Sequence, residues 1–237
     1  KKLDMHMTPS TASSVDKSSF MKKKIKLDLY TAEEEVANAV THAVGIIGGI
    51  VGLVLNFLNT PIDNAQVFWS CTVFFLSIIF LYSASTIYHT VTGTQRKYLF
   101  KQLDHIGIYI LIAGTFTPFA YGVLGEDPLG QQMLIAVWLI ALAGILFKIF
   151  YTGRYEALSL ISYLGMGWLG FIMFDDISHK LGNDVVNLML YGGICYTSGI
   201  IFYLMRRLKY HHAIWHIFVL GGTGFHAWAV LSYVIRI

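Results

Sequence analysis

Five polar residues stand where hydrocarbon-like sequence surrounds them. The stretch LYSASTIYHT (81–90) ends a long apolar run with Ser85 and His89 four positions apart, and HHAIWHIF (211–218) opens another with His212 and His216 at the same spacing. In a helix each residue turns about 100° and rises about 1.5 Å, so positions i and i+4 share one face, one turn apart. Two such histidines can hold one metal ion, with imidazole nitrogens about 2.0–2.1 Å from zinc. His89 would add a third nitrogen from another helix. Three protein ligands with a fourth position open is the pattern of a catalytic zinc. Asp104 would then hold a water or take its proton, and Ser85 would position a substrate oxygen or orient a ligand. Zinc makes hydroxide available at a pH of about 7. That chemistry suits hydrolysis of an amide or ester, and a site at membrane depth favours a lipid substrate.

Long apolar helices must carry these residues. Of 237 residues, 55% are hydrophobic, 15% aromatic and only 13% charged, with a mean hydropathy of +0.59. A soluble domain would carry about 25% charged residues. The charges cluster between apolar runs of about 20 residues, the length needed to cross hydrocarbon. The expected fold is all-α, a polytopic membrane protein with seven transmembrane helices near 38–58, 66–89, 104–124, 131–151, 157–174, 184–205 and 212–235. Residues 1–32 are expected to form a disordered basic arm, whose HM pair resembles a cloning scar, ahead of a membrane domain over 33–237. Cys71 and Cys195 fall inside apolar runs, which argues against a disulfide framework. The GGTG and GIIGGIVG stretches follow no strand, so they suit close helix packing rather than phosphate binding.

The second, fourth and sixth connections hold eight basic residues (Arg96, Lys97, Lys101, Lys148, Arg154, Arg206, Arg207 and Lys209), whereas the first, third and fifth hold only Lys180. Short basic loops stay inside, which predicts a cytoplasmic N-terminus and an external C-terminus. The same reading brings His89, Asp104, His212 and His216 to one cytoplasmic layer. His105 and His211 adjoin the chosen residues but point about 100° away. His42 would reach the rim of the site, His226 reads as a hydrogen-bonded core histidine, and His179 as a solvated residue of an outer loop. The net charge of +3 gives no reason to expect nucleic acid. The partner to expect is membrane lipid, and no cofactor besides Zn2+.

The segments EEVANAVTHAVG, SASTIYHT, QLDHIGIYILIAGTFTPF and HHAIWHIFVLGGTGFHAW, in this order, resemble the hemolysin III family over about residues 33–235. That family is related to the progestin and adipoQ receptors, within a wider group containing alkaline ceramidases. The resemblance implies seven helices with a cytoplasmic N-terminus in a bacterial inner membrane. In the adiponectin receptors a zinc is held by one histidine ending the second helix and two opening the seventh. By pattern those fall on His89, His212 and His216, with the nearby serine and aspartate on Ser85 and Asp104. The chain departs at LDHIG, where the receptor branch lacks the histidine matching His105, and the resemblance to the bacterial branch, which lacks the receptors' long N-terminal domain, implies no hormone sensing. The implied function is a zinc-dependent intramembrane hydrolase of lipid amides or esters, ceramidase-like, acting in lipid homeostasis. A non-catalytic sensor with a structural zinc and a lytic pore or transporter are the alternatives.

Overall fold

The computed structural model describes residues 27, 28 and 30–237, so most of the arm expected over 1–32 lies outside the described residues. The described residues form eight α-helices: α1 Ala32–Asn59, α2 Ala65–Thr90, α3 Thr94–Thr117, α4 Pro128–Tyr151, α5 Glu156–Trp168, α6 Phe174–Leu181, α7 Asn183–Leu204 and α8 His211–Ser232. Merged where they run on, they give seven helices long and apolar enough to cross a membrane. The chain is a multi-pass membrane protein.

Most differences from the expected spans lie at helix ends, where charge was mistaken for loop. Thr31 and Glu34 form a reciprocal capping box that starts α1 at Ala32. α3 begins ten residues before Asp104, at Thr94, directly after Gly93, whose φ of +89° makes the tight turn out of α2. The Arg96–Lys101 segment, expected as a basic loop, is therefore helical. α3 continues into a wide π-helical turn over Pro118–Val123, where proline supplies no backbone N–H. The fifth span does not end near 174. It passes through a tight 3-10 turn at Leu169–Met173 and resumes as α6, so Asp175, Asp176 and His179 are helical rather than in a loop. His179 is exposed, as expected.

Two of the basic residues assigned to connections are in the interior. Lys101 and Lys148 are 0% and 1% exposed. Lys101 pairs with Asp28 at 2.8 Å. The basic asymmetry now rests on Arg96 and Lys97 in the first turn of α3 and on Arg154, Arg206, Arg207 and Lys209 in the connections.

α2 and α3 form the centre, their span segments 67% and 78% buried, while the α1 segment is only 28% buried. Outward α1 side chains such as Val36, Ile47 and Leu58 are exposed and apolar, as hydrocarbon-facing positions should be. The inward strip is small. A Cβ at Gly45 would strike the Tyr82 ring, at Gly49 the side chains of Ile78 and Ile79, and at Gly52 the Phe75 ring. Without a hydrophobic drive between helices in lipid, such close approach supplies the packing.

Candidate metal centre

Helix ends build the site. His89 closes α2, His212 and His216 open α8, and the first turns of α1 lie against both. The three imidazoles each offer a nitrogen, all lying within 4.8 Å of one another. A tetrahedral ion with bonds of about 2.0–2.1 Å would space such nitrogens about 3.4 Å apart, so small ring rotations would close the set. All three residues are buried, His216 completely. The expected pairing of His212 with His216 on one face holds, with ring centroids 4.4 Å apart.

α1 fixes which nitrogens face inward. His89 Nδ1–H donates to Glu35 Oε2 at 2.6 Å, and Glu35 Oε1 accepts from Lys97 Nζ at 2.6 Å. His216 Nδ1–H donates to the Asn38 carbonyl at 3.1 Å. Because a carboxylate and a carbonyl only accept, both rings carry a proton on Nδ1, which in the neutral imidazole places the lone pair on Nε2. Those Nε2 atoms, together with both nitrogens of His212, are buried and without hydrogen-bond partners among the described residues. Orphaned lone pairs converging in a buried pocket are costly unless something occupies them. A carboxylate behind a histidine is also the usual support for a metal ligand. The residues fit a bound metal ion.

Glu35 and Asn38 were missed by the sequence reading, which gave α1 only His42. Their signal was a polar stripe, Glu35, Asn38 and His42, at helical spacing in an apolar span. His42 lies deeper than the rim. It is 1% exposed, stacks on His216 with centroids 3.4 Å apart and planes at 15°, and neither of its nitrogens has a hydrogen-bond partner among the described residues. His105 and His211 stay outside the three-histidine group. His226 donates from Nε2–H to the Met189 carbonyl at 3.1 Å, as a core histidine should.

Tyr30 closes the site from the chain end, its ring centroid 5.1 Å from His212 and 5.8 Å from His89. Burial, reinforced by the Asp28 carboxylate, pushes its hydroxyl far above the usual tyrosine range, so Tyr30 is a neutral cover. Ser85 and Asp104 are 0% and 4% exposed and lie in the same electrostatic neighbourhood as His89. Ser85 Oγ makes no well-aligned hydrogen bond among the described residues.

A cavity of about 170 Å³ adjoins this cluster, lined by His212, His42 and Asp104 and continuing past Ile108, Leu111 and Phe119. From Asp104 to Phe119 along α3 is about 22 Å of helix rise, more than half of a hydrocarbon core of about 30 Å. Its walls are mainly apolar, with Gly167, Trp168 and Gly193 at the α5–α7 side.

A bundle of seven apolar helices with three convergent histidines at one end defines a multi-pass membrane protein with a possible metal centre. The chain belongs to the family described as "Haemolysin-III related", which it matches over residues 30–227. It is 42% identical over 212 residues to "Hemolysin-3 homolog" of Bacillus subtilis (strain 168), covering 88% of this chain and 98% of that one. It is 40% identical over 204 residues to "Hemolysin-3" of Bacillus cereus, covering 86% and 93%. With "Monocyte to macrophage differentiation factor" of Homo sapiens it shares 27% identity over 212 residues, 87% of each chain.

Proposed function

We propose that this protein is a zinc-dependent hydrolase of lipid amides or esters, resident in a bacterial inner membrane with its N-terminus and its site on the cytoplasmic side. The observation carrying this reading is the pair of partnerless Nε2 lone pairs on His89 and His216, set beside His212 at the head of an apolar cavity. His89, His212 and His216 would hold the ion. When bound, zinc would supply Lewis acidity and make hydroxide accessible near neutral pH. The acyl chain lies along α3 and brings the scissile carbonyl to the Asp104 end. Ser85 Oγ–H donates to the carbonyl oxygen. Asp104 takes a proton from the water attacking the carbonyl carbon and delivers it to the amine or alkoxide as the C–N or C–O bond breaks. The products are a carboxylic acid and an amine or alcohol. Tyr30 and the helix ends keep bulk water from the reacting atoms.

One observation favours the alternative of a structural zinc: His42 places two further unpartnered nitrogens against His216, and one of them could fill the fourth position. Purified zinc-loaded protein in nanodiscs, given N-acyl and O-acyl lipids, decides between them. Release of fatty acid that stops on chelation and returns with zinc is the expected result. No release from either lipid class, with the metal shown to be bound, favours the structural role.

The orientation has its own test. With the remaining basic residues on the even connections, a cysteine replacing exposed Gln95 should be shielded from an impermeant thiol reagent in intact cells. One replacing Glu126 should react. The opposite labelling would place the site on the outer side.

A further inference from the structure

At its Asp104 end the cavity also meets basic groups that hydrolysis does not use. Lys148, in the last turn of α4, is 1% exposed and lines the cavity. Its ammonium has no carboxylate within ion-pair distance and no hydrogen bond among the described residues. The ammonium lies over the Tyr163 ring, 5.9 Å from its centroid. Half-buried His105 lines the same wall, within electrostatic reach of Lys148, and its Nδ1 has no hydrogen-bond partner among the described residues. The nearby acids are engaged elsewhere or act on it only from beyond ion-pair distance. Asp28 pairs with Lys101, Glu156 pairs with Arg206 at 2.8 Å, and Asp104 lies beyond ion-pair distance of Lys148. An ammonium taken out of water without a paired anion is strongly disfavoured. Here it faces a space that is otherwise shaped for a chain.

We propose that Lys148, with His105 beside it, holds the anionic head of an acyl amphiphile whose chain lies along α3. A lysine ammonium is a compact point charge suited to phosphate or carboxylate oxygens, and an apolar cavity with a few convergent polar groups at one end is the usual form of a site for such a molecule. This inference rests on the reading of the cavity as a lipid site but not on hydrolysis taking place there. Two sources share the chemistry, the phosphate of a phospholipid and the carboxylate of a fatty acid.

The test measures binding to the full-length, zinc-loaded protein in detergent. The probes are hexadecylphosphonate, hexadecanoate and hexadecan-1-ol, which share one chain and contain no amide or ester, so the outcome is independent of turnover. Wild-type protein should bind at least one of the two acids at least about tenfold more tightly than the alcohol, and the tighter acid identifies the head group. Lys148→Met should abolish most of that preference while leaving affinity for the alcohol and zinc content unchanged. Lys148→Arg, which restores the charge, should recover most of it. If Lys148→Met does not fold, Lys148→Gln serves the same purpose. Equal wild-type binding of all three probes would overturn the proposal. So would a folded, zinc-loaded Lys148→Met or Lys148→Gln protein that keeps the preference, since the anion would then sit on the metal or elsewhere.

Discussion

Asp104→Asn is expected to yield a folded, zinc-loaded protein whose hydrolytic turnover is lower by about 10²–10⁴, the usual worth of a positioned acid–base group. Asparagine keeps the shape of a residue that is 4% exposed but cannot accept the proton of an attacking water. The three histidines, not Asp104, make up the group able to hold the ion, so metal content should fall much less than rate. The measurement pairs zinc analysis with fatty-acid release from the lipid that wild-type protein cleaves. Turnover at the wild-type level in a zinc-loaded Asp104→Asn protein would remove Asp104 from the chemistry. If wild-type protein cleaves nothing, the same variant compared in membrane lipid composition shows whether the site affects lipids at all.

His89→Ala, His212→Ala and His216→Ala should each strip most of the bound zinc and lower thermal stability. A ligand held only by the folded state at a hundred times its dissociation constant contributes about 2.7 kcal/mol. For a chain of this length that corresponds to about 5–10 °C in melting temperature. Glu35→Gln should act more gently, weakening zinc by about 10–100-fold, because it removes the charge behind His89 but leaves the imidazole in place. His179→Ala, at an exposed position of α6, should change neither quantity. Full zinc occupancy in all three histidine variants would dissolve the metal centre and turn attention to His42.

How much of this was legible depended on whether the cue was local. The spacing of His212 and His216, and the ending of an apolar run at His89, were enough to identify the three histidines that meet, because membrane-crossing length alone decides which helix ends share a layer. Lys101 and Lys148 were misplaced for a long-range reason. A lysine beside an apolar run reads as loop, and only the approach of Asp28 to Lys101, and the cavity beside Lys148, give these two an interior role. Glu35 was hidden in an acidic cluster that looked like a polar boundary, although Thr31 and Glu34 already spelled out a helix start. The 3-10 turn at Leu169–Met173 left no signal beyond Gly170.

The buried strip of α1 has an effect beyond packing. Asn38, His42, Gly45, Gly49, Gly52 and Asn56 form one seam that packs this mostly exposed helix against the bundle, while Glu35 ties its first turn to His89 and Lys97. Sliding α1 by one turn, about 5.4 Å, is the smallest axial shift that keeps the seam facing inward. In one direction it would bring Leu53 to the place of Gly49, against Ile78 and Ile79, and in the other Thr41 to the place of Gly45, against Tyr82. Neither place has room. The glycines therefore act as a detent against axial sliding, and Gly52, about 25 Å along the helix from Glu35, helps set where that carboxylate stands behind His89.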